Sequence, residues 1–237
     1  TMLLALCLMV LLCLTACSVG TGPSTPTPAP VPPQTSPPPI AATATPTPTP
    51  YNGPINPLSG MPTDAETAAQ RPVSVMLNNL KQALPQLGQS QADIIYEVVA
   101  EGGITRMLGV FQSVEDVGMI GSIRSARSYY IELAMGHDAL FIHAGGSEDA
   151  YADLGKWEVD YFDAVRGPYL GKTPESNMMW RDDDRRRENG YEHSVVATGT
   201  SILDHLPSDL RREHEEGYDA GLSFCDDGTP VGGSPAS

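Results

Sequence analysis

The chain has 237 residues and a formal net charge of −15, and every Asp, Glu, Lys and Arg lies at or after Asp64. Acidity of this size argues against a nucleic-acid partner and against electrostatic docking on an anionic lipid surface. The charged residues are therefore expected to belong to a globular region that begins after an uncharged amino-terminal part.

Residues 2–14 form an apolar run without charge. The run is shorter than the roughly 20 residues that span a bilayer, and it is typical of the apolar core of a secretory signal peptide. It leads into Leu14-Thr15-Ala16-Cys17, which matches the lipobox of bacterial lipoproteins; the alternative is an ordinary cleavage site followed by an incidental cysteine. We expect residues 1–16 to be a lipoprotein signal peptide whose basic leader lies upstream, and Cys17 to carry a lipid. Such a lipid predicts attachment to the cell membrane on its extracytoplasmic face.

Residues 17–54 are expected to form the lipid anchor and a disordered tether, because their runs of proline and threonine favour extended polyproline II and offer nothing for a core. A globular domain is predicted at residues 55–205, followed at residues 206–237 by a linker and the start of a truncated second domain. Cys225 is the one cysteine beyond the lipobox. It is therefore a free thiol or pairs with a cysteine further along, and no disulfide framework is predicted.

The predicted elements of the domain alternate between strands and helices. β-Branched and apolar runs predict strands at 71–77, 93–101 and 104–111, with Gly102-Gly103 as a two-residue turn between the last two, and a further strand at 139–143. A helix is predicted at 128–135, and a second helix begins after Ser147, a suitable N-cap. Beyond residue 160 the periodicity weakens. This order predicts an α/β fold, a layered mixed β-sheet with flanking helices.

The turn at Gly102-Gly103 predicts a charged cluster on one face of the sheet. A two-residue turn places Val99 opposite Arg106, with Glu97 and Glu101 on the diagonals. One interpretation is a cross-strand ion pair on a partly covered face. The other is an acidic pocket for a metal or for acid–base chemistry.

The segment 118–128 carries two arginines, Arg124 and Arg127, among glycines and hydroxyl side chains. We expect the following helix to begin near Arg124 or Ser125, where free backbone N–H groups favour anions and the planar guanidinium suits phosphate or carboxylate. Alternatively, both arginines pair with acidic residues of the same region, namely Glu97, Glu101 or Asp116.

Other polar residues give weaker signals. His143 ends a predicted strand before two glycines, a position that fits either a ligand contact or a packed, hydrogen-bonded histidine. Residues 181–188 mix both charges and are expected to form a solvated surface segment. His193 lacks the spacing of a metal site, and the chain has no phosphate-binding glycine loop, nucleophile elbow or His-Glu-x-x-His motif.

Five blocks of sequence follow one another in a fixed order: Arg71–Asn79, Ser90–Glu97, Ala100–Arg106, Ile120–Arg127 and His143–Ser147. Together they closely resemble the YerB-like bacterial lipoproteins. The resemblance implies an amino-terminal domain without an assigned activity, followed by a smaller second domain. One block departs from the family pattern, because Tyr191-Glu192-His193-Ser194 stands where an Arg-x-x-Pro-His-Asn-like block is expected.

We therefore expect a membrane-anchored lipoprotein of the cell envelope whose domain binds an anionic envelope polymer or an envelope protein, without a cofactor or a metal. The candidate ligand-binding residues are Arg106, Arg124, Arg127, Glu97, Glu101 and His143. The alternative is an envelope enzyme for metal-assisted phosphoryl or glycosyl transfer or hydrolysis. That enzyme would use the acidic face of Asp93, Glu97 and Glu101 together with Arg124 and Arg127.

Overall fold

A computed structural model describes residues 51–224 of the chain. The predictions for the signal peptide, for Cys17, for the tether up to residue 50 and for Cys225 lie outside the described residues. Within residues 51–224, no helix is long and apolar enough to cross a membrane.

Nine strands and five α-helices make up this region. The strands are β1 (Val73–Asn78), β2 (Ile94–Val99), β3 (Thr105–Phe111), β4 (Met119–Gly121), β5 (Leu140–His143), β6 (Tyr161–Asp163), β7 (Leu170–Gly171), β8 (Met179–Arg181) and β9 (Val195–Thr198). The helices are α1 (Ala65–Ala69), α2 (Ser128–Gly136), α3 (Glu148–Lys156), α4 (Asp183–Glu188) and α5 (Gly199–Asp204).

The strands form two mixed sheets. The larger has the order β2-β3-β1-β5-β6, with β3 antiparallel to both of its neighbours and β1, β5 and β6 parallel. The smaller has the order β4-β9-β8-β7. The predicted α/β fold with a layered mixed sheet and flanking helices is confirmed, and the second sheet is an addition to it.

The core lies on both sides of the larger sheet because successive side chains of a strand point to opposite faces. Val75 and Leu77 pack in one apolar cluster with Ile120 and Val195 of the smaller sheet. Met76, between them, packs in a second cluster with side chains of α2 and α3. Strand β1 is buried along its whole length, which explains why its sequence is mostly apolar and does not alternate strictly between apolar and polar residues.

Helix α3 begins as the sequence predicts. The Ser147 side chain accepts a hydrogen bond from the backbone N–H of Ala150 at 3.2 Å. Glu148 and Asp149 lie in the first turn, where negative charge is favourable.

The hairpin between β2 and β3 differs from the prediction by one residue. Its loop holds three residues, Glu101–Gly103, and both glycines adopt positive φ angles of 71° and 75°, which glycine adopts readily. Arg106 is consequently paired with Val98, and Glu97 is paired with Met107. The predicted register is therefore wrong, because Arg106 and Glu97 lie on opposite faces of the sheet.

Candidate functional site

The segment between β4 and α2 runs as extended chain rather than as the start of a helix. Its backbone N–H groups are already used: Ile123 donates to Val195 O at 2.7 Å, and Arg124 donates to Met76 O at 2.9 Å. Helix α2 begins only at Ser128. The predicted helix start near Arg124 or Ser125 is wrong, because bonds to both sheets hold this segment straight.

Four arginines line one open cavity of about 420 Å³ beside this segment. Two come from the segment itself, one from β3 and one from β8, so the cavity lies where the two sheets and the segment meet. We call it the arginine cleft; its defining residues are Arg106, Arg124, Arg127, Arg181, Tyr191 and Glu192.

Arg106 is the most buried of these arginines, with 6% of its surface exposed. Its Nη1 donates to Ser125 O at 3.0 Å. Its Nη2 lies 3.7 Å from Glu101 Oε2, which is beyond hydrogen-bond distance. Burial, together with the positive charges of Arg127 and Arg124, lowers the pKa of Arg106. Within residues 51–224, this guanidinium therefore has one hydrogen bond and one longer ion pair.

Arg127 is held by Glu101 of the hairpin loop. The contact is bidentate, with Arg127 Nε on Glu101 Oε1 and Arg127 Nη2 on Glu101 Oε2 at 3.0 Å. The hydrogen bonds from Arg127 lower the pKa of Glu101 to about 2, so this carboxylate stays charged at physiological pH. The Glu101 side chain is nevertheless 61% exposed, and such exposed pairs stabilise a fold by at most about 1 kcal/mol.

Arg124 and Arg181 contact the turn that follows α4. Arg124 Nη2 donates to Glu192 Oε2 at 3.3 Å. Arg181 Nη1 donates to Tyr191 O at 2.7 Å, and its guanidinium lies 3.6 Å from the centre of the Tyr191 ring. The Nε atom of each arginine is buried without a hydrogen-bond partner in the described residues. These contacts orient the two arginines without saturating them.

The charged segment 181–188 is largely exposed, as the sequence predicts, but two of its arginines turn inward. Arg181 lines the cleft, and Arg185 is buried, donating to Ala83 O and Pro85 O at 2.5 and 3.0 Å. A run that mixes both charges gives no local sign of which arginine turns inward. Arg181 and Tyr191 are therefore cleft residues that sequence reasoning missed.

His143 lies behind the cleft rather than in it. The side chain is fully buried, its Nδ1 is 2.8 Å from Gly145 O, and the ring stacks on Phe141. Burial lowers the pKa of His143, although the nearby charge of Asp163 opposes this. Of the two interpretations of His143, these contacts match the packed, hydrogen-bonded histidine.

The acidic residues of the enzyme alternative do not converge. Asp93 accepts hydrogen bonds from Asn56 Nδ2 and from the backbone N–H of Gln112, both at 2.8 Å. Glu97 accepts from Asn79 and Thr105. Glu101 is bound to an arginine of the cleft, so the three carboxylates serve separate structural purposes. No cluster of three or more His, Cys, Asp or Glu side chains that could hold a metal occurs between residues 51 and 224.

Comparison with known proteins agrees with the resemblance seen in the sequence. The chain is 39% identical over 127 residues to "Putative lipoprotein YerB" of Bacillus subtilis (strain 168), an alignment that covers 54% of this chain and 36% of that protein. The crystal structure of the Bacillus subtilis YerB protein matches with a TM-score of 0.55 at 34% identity, covering 63% of this chain and 48% of that one. The chain thus spans about a third to a half of the length of these relatives.

A protein family also matches residues 58–209, a range that includes both sheets and the arginine cleft. The predicted kinship with YerB-like proteins is confirmed. Through this match, the chain belongs to the family described as "Protein of unknown function (DUF3048) N-terminal domain".

Proposed function

We propose that this protein is a lipoprotein, anchored by a lipid on Cys17 at the extracytoplasmic face of the cell membrane, whose α/β domain binds an anionic component of the cell envelope in the arginine cleft. The lipobox at Leu14–Cys17 and the name of the relative YerB support the anchor. The incomplete bonding of Arg106 supports the ligand site.

The charge balance of the cleft favours an anion. Four arginines face two acidic residues, Glu101 and Glu192, whose side chains are 61% and 71% exposed. The chain as a whole has a formal net charge of −15, so a local excess of positive charge is unusual for it. The acidic neighbour of Arg106 is Glu101, at 3.7 Å, and that carboxylate is already bound to Arg127 by two hydrogen bonds. A bound phosphate or carboxylate would therefore supply a second anion for the buried guanidinium.

The size of the cleft suits a small anionic group rather than a large ligand. A volume of about 420 Å³ is within the range of small-molecule sites. An anionic group at the end of an envelope polymer, or an acidic side chain of an envelope protein, would fit such a site.

The ligand site is tested by calorimetry with pyrophosphate as the probe, using the whole chain purified in detergent. The parent should bind, and Arg106→Met should weaken binding at least about tenfold, because charge-assisted hydrogen bonds would be lost. Arg187→Met is the matched control, since it removes the same charge from an exposed pair with Asp184 outside the cleft. A parent that does not bind pyrophosphate at millimolar concentration would refute the site.

The anchor is tested separately by expression of Cys17→Ala behind a complete signal sequence in a bacterium. The parent should be recovered in the detergent-extractable membrane fraction, and the variant should be absent from it. Equal retention of both would remove the lipidated cysteine from the proposal.

A further inference from the structure

The side chain of Asn78 fixes the protonation of a histidine beside the arginine cleft. Asn78 ends β1 and is 1% exposed. Its Oδ1 accepts a hydrogen bond from the backbone N–H of Leu80 at 3.1 Å, so the amide nitrogen must face the other way. That nitrogen lies 2.8 Å from His193 Nδ1. Because an amide N–H can only donate, Nδ1 must accept, and His193 is neutral with its proton on Nε2.

The position of Asn78 places this histidine at the border of the cleft. Asn78 is paired directly with Arg106 between β1 and β3, so their side chains are neighbours on one face of the sheet. His193 follows Tyr191 and Glu192, which line the cleft. His193 is partly exposed, and within residues 51–224 the hydrogen bond of its side chain is the one between Nδ1 and Asn78.

We infer that His193 is a further ligand-binding residue, whose Nε2–H donates to an oxygen of the anion held by Arg106 and Arg124. This inference depends on the proposed function. It also narrows the ligand to a tetrahedral oxyanion of the phosphate type. Two guanidinium groups and an imidazole offer donors from three side chains, and a tetrahedral anion presents its oxygens in three dimensions, whereas the oxygens of a planar carboxylate lie in one plane.

The surroundings of His193 keep it neutral as the pH falls. The amide of Asn78 opposes protonation of His193 Nδ1, because an N–H group at Nδ1 would then face the N–H group of the amide. Burial lowers the pKa of His193, and the charges of Arg124 and Arg185 lower it further, while Glu192 opposes them. Binding of an anion whose own charge is constant should therefore not tighten between pH 7.5 and 6.0. A histidine with an ordinary pKa near 6.5 would gain charge over this range and tighten binding.

Sulfate is the suitable probe, because its charge does not change over this range, and oxalate serves as a planar dianion for comparison. Dissociation constants are measured with the whole chain in detergent at both pH values. His193→Ala should weaken sulfate binding about threefold to tenfold, the usual value of one hydrogen bond, and should weaken oxalate binding less. His193→Gln should recover part of the loss, because its amide can place an N–H near the position of Nε2. His205→Ala, which removes a partly exposed histidine at the C-cap of α5 whose Nδ1 contacts Ser201 O, should leave binding unchanged.

Asn78→Asp provides the second arm, since a carboxylate at this position accepts a proton from Nδ1 and permits a charged His193. Sulfate binding by this variant should tighten on acidification, whereas binding by the parent should not. Nitrogen-15 NMR should report the neutral Nε2–H form of His193 in the parent at pH 6.0. If Arg106→Met loses sulfate while His193→Ala retains it, the role of His193 is refuted and the proposed function survives. If the parent binds neither sulfate nor pyrophosphate, both are refuted.

Discussion

Arg185 and Arg106 are buried to a similar degree, 7% and 6% exposed, but their guanidinium groups are bonded differently. All three nitrogens of Arg185 donate to backbone carbonyls, those of Ala83, Pro85 and His193. Arg106 donates to one carbonyl, that of Ser125, and the remainder of its side chain faces the cleft. We call an arginine saturated when all three of its guanidinium nitrogens donate hydrogen bonds. A saturated arginine stabilises the fold, whereas an unsaturated one beside an open cavity is available to a ligand.

The largest expected effect concerns a third buried arginine, Arg71, which pairs with two aspartates and also donates to backbone carbonyls. It donates to Asp160 Oδ2 at 2.6 Å, and its Nε lies 3.1 Å from Asp138 Oδ1. Arg71→Met should lower the free energy of unfolding by about 3 kcal/mol, because it removes three hydrogen bonds from a buried charged donor, to Asp138 O, Asp160 Oδ2 and Arg211 O. Urea denaturation measures this loss.

The control for this prediction is Arg211→Met. Arg211 also pairs with Asp138, but its side chain is 41% exposed, so its removal should cost less than about 1 kcal/mol. Equal losses in the two variants would show that burial does not decide the value of these pairs.

The next effect tests the comparison directly. Arg185→Met leaves three carbonyls without their donor and should lower the free energy of unfolding by about 2 kcal/mol. Arg106→Met removes a repelling charge along with one hydrogen bond, so its net cost should be below about 1 kcal/mol. Anion binding should behave in the opposite way, with a large loss only in Arg106→Met. If both variants lost the same stability and the same binding, the two arginines would have the same role.

The smallest effect is the pH dependence of stability that His143 contributes from its place behind the cleft. Burial lowers the pKa of His143, so on acidification the unfolded state takes up a proton near pH 6.5 before the folded state does. The contribution of His143 to stability is therefore complete above about pH 6.5 and is lost as the pH falls, by at most about 1.4 kcal/mol per pH unit. His137, whose pKa is also lowered by burial, acts in the same direction.

Thermal unfolding at pH 7.5 and 5.5, at constant ionic strength, measures this dependence. The parent should lose stability on acidification, and His143→Phe, which keeps an aromatic ring beside Phe141, should lose less. Equal slopes in the two proteins would show that His143 is protonated in the folded state as easily as in the unfolded chain.

The parts of the fold that sequence could predict are those with a strong local pattern. The apolar run of β1, the helix α2 and the Ser147 cap of α3 all depend on neighbours in the chain. The loop after β2 was predicted one residue too short, because two consecutive glycines permit several turn types and only the strand pairing decides between them. Strands β4 and β7, of three and two residues, are too short to show any period.

Less of the candidate site could be predicted from the sequence. The structure brings Arg106, Arg124, Arg127 and Glu101 together, but it separates Glu97 and His143 from them. The placement of Arg181 depends on β8 pairing with β9, a contact that neither strand reveals on its own. Whether an arginine is saturated depends on carbonyls from distant segments, such as Ala83 for Arg185, and no local pattern encodes them.

The most direct test of the arginine cleft is a crystal structure of the chain soaked with pyrophosphate. We predict an anion whose oxygen lies about 3 Å from Arg106 Nη2, with further hydrogen bonds from Arg124 and from His193 Nε2. Pyrophosphate bound elsewhere, or absent at saturating concentration while Arg106 is still bonded only to Ser125 O, would contradict the assignment of this cleft as a ligand site.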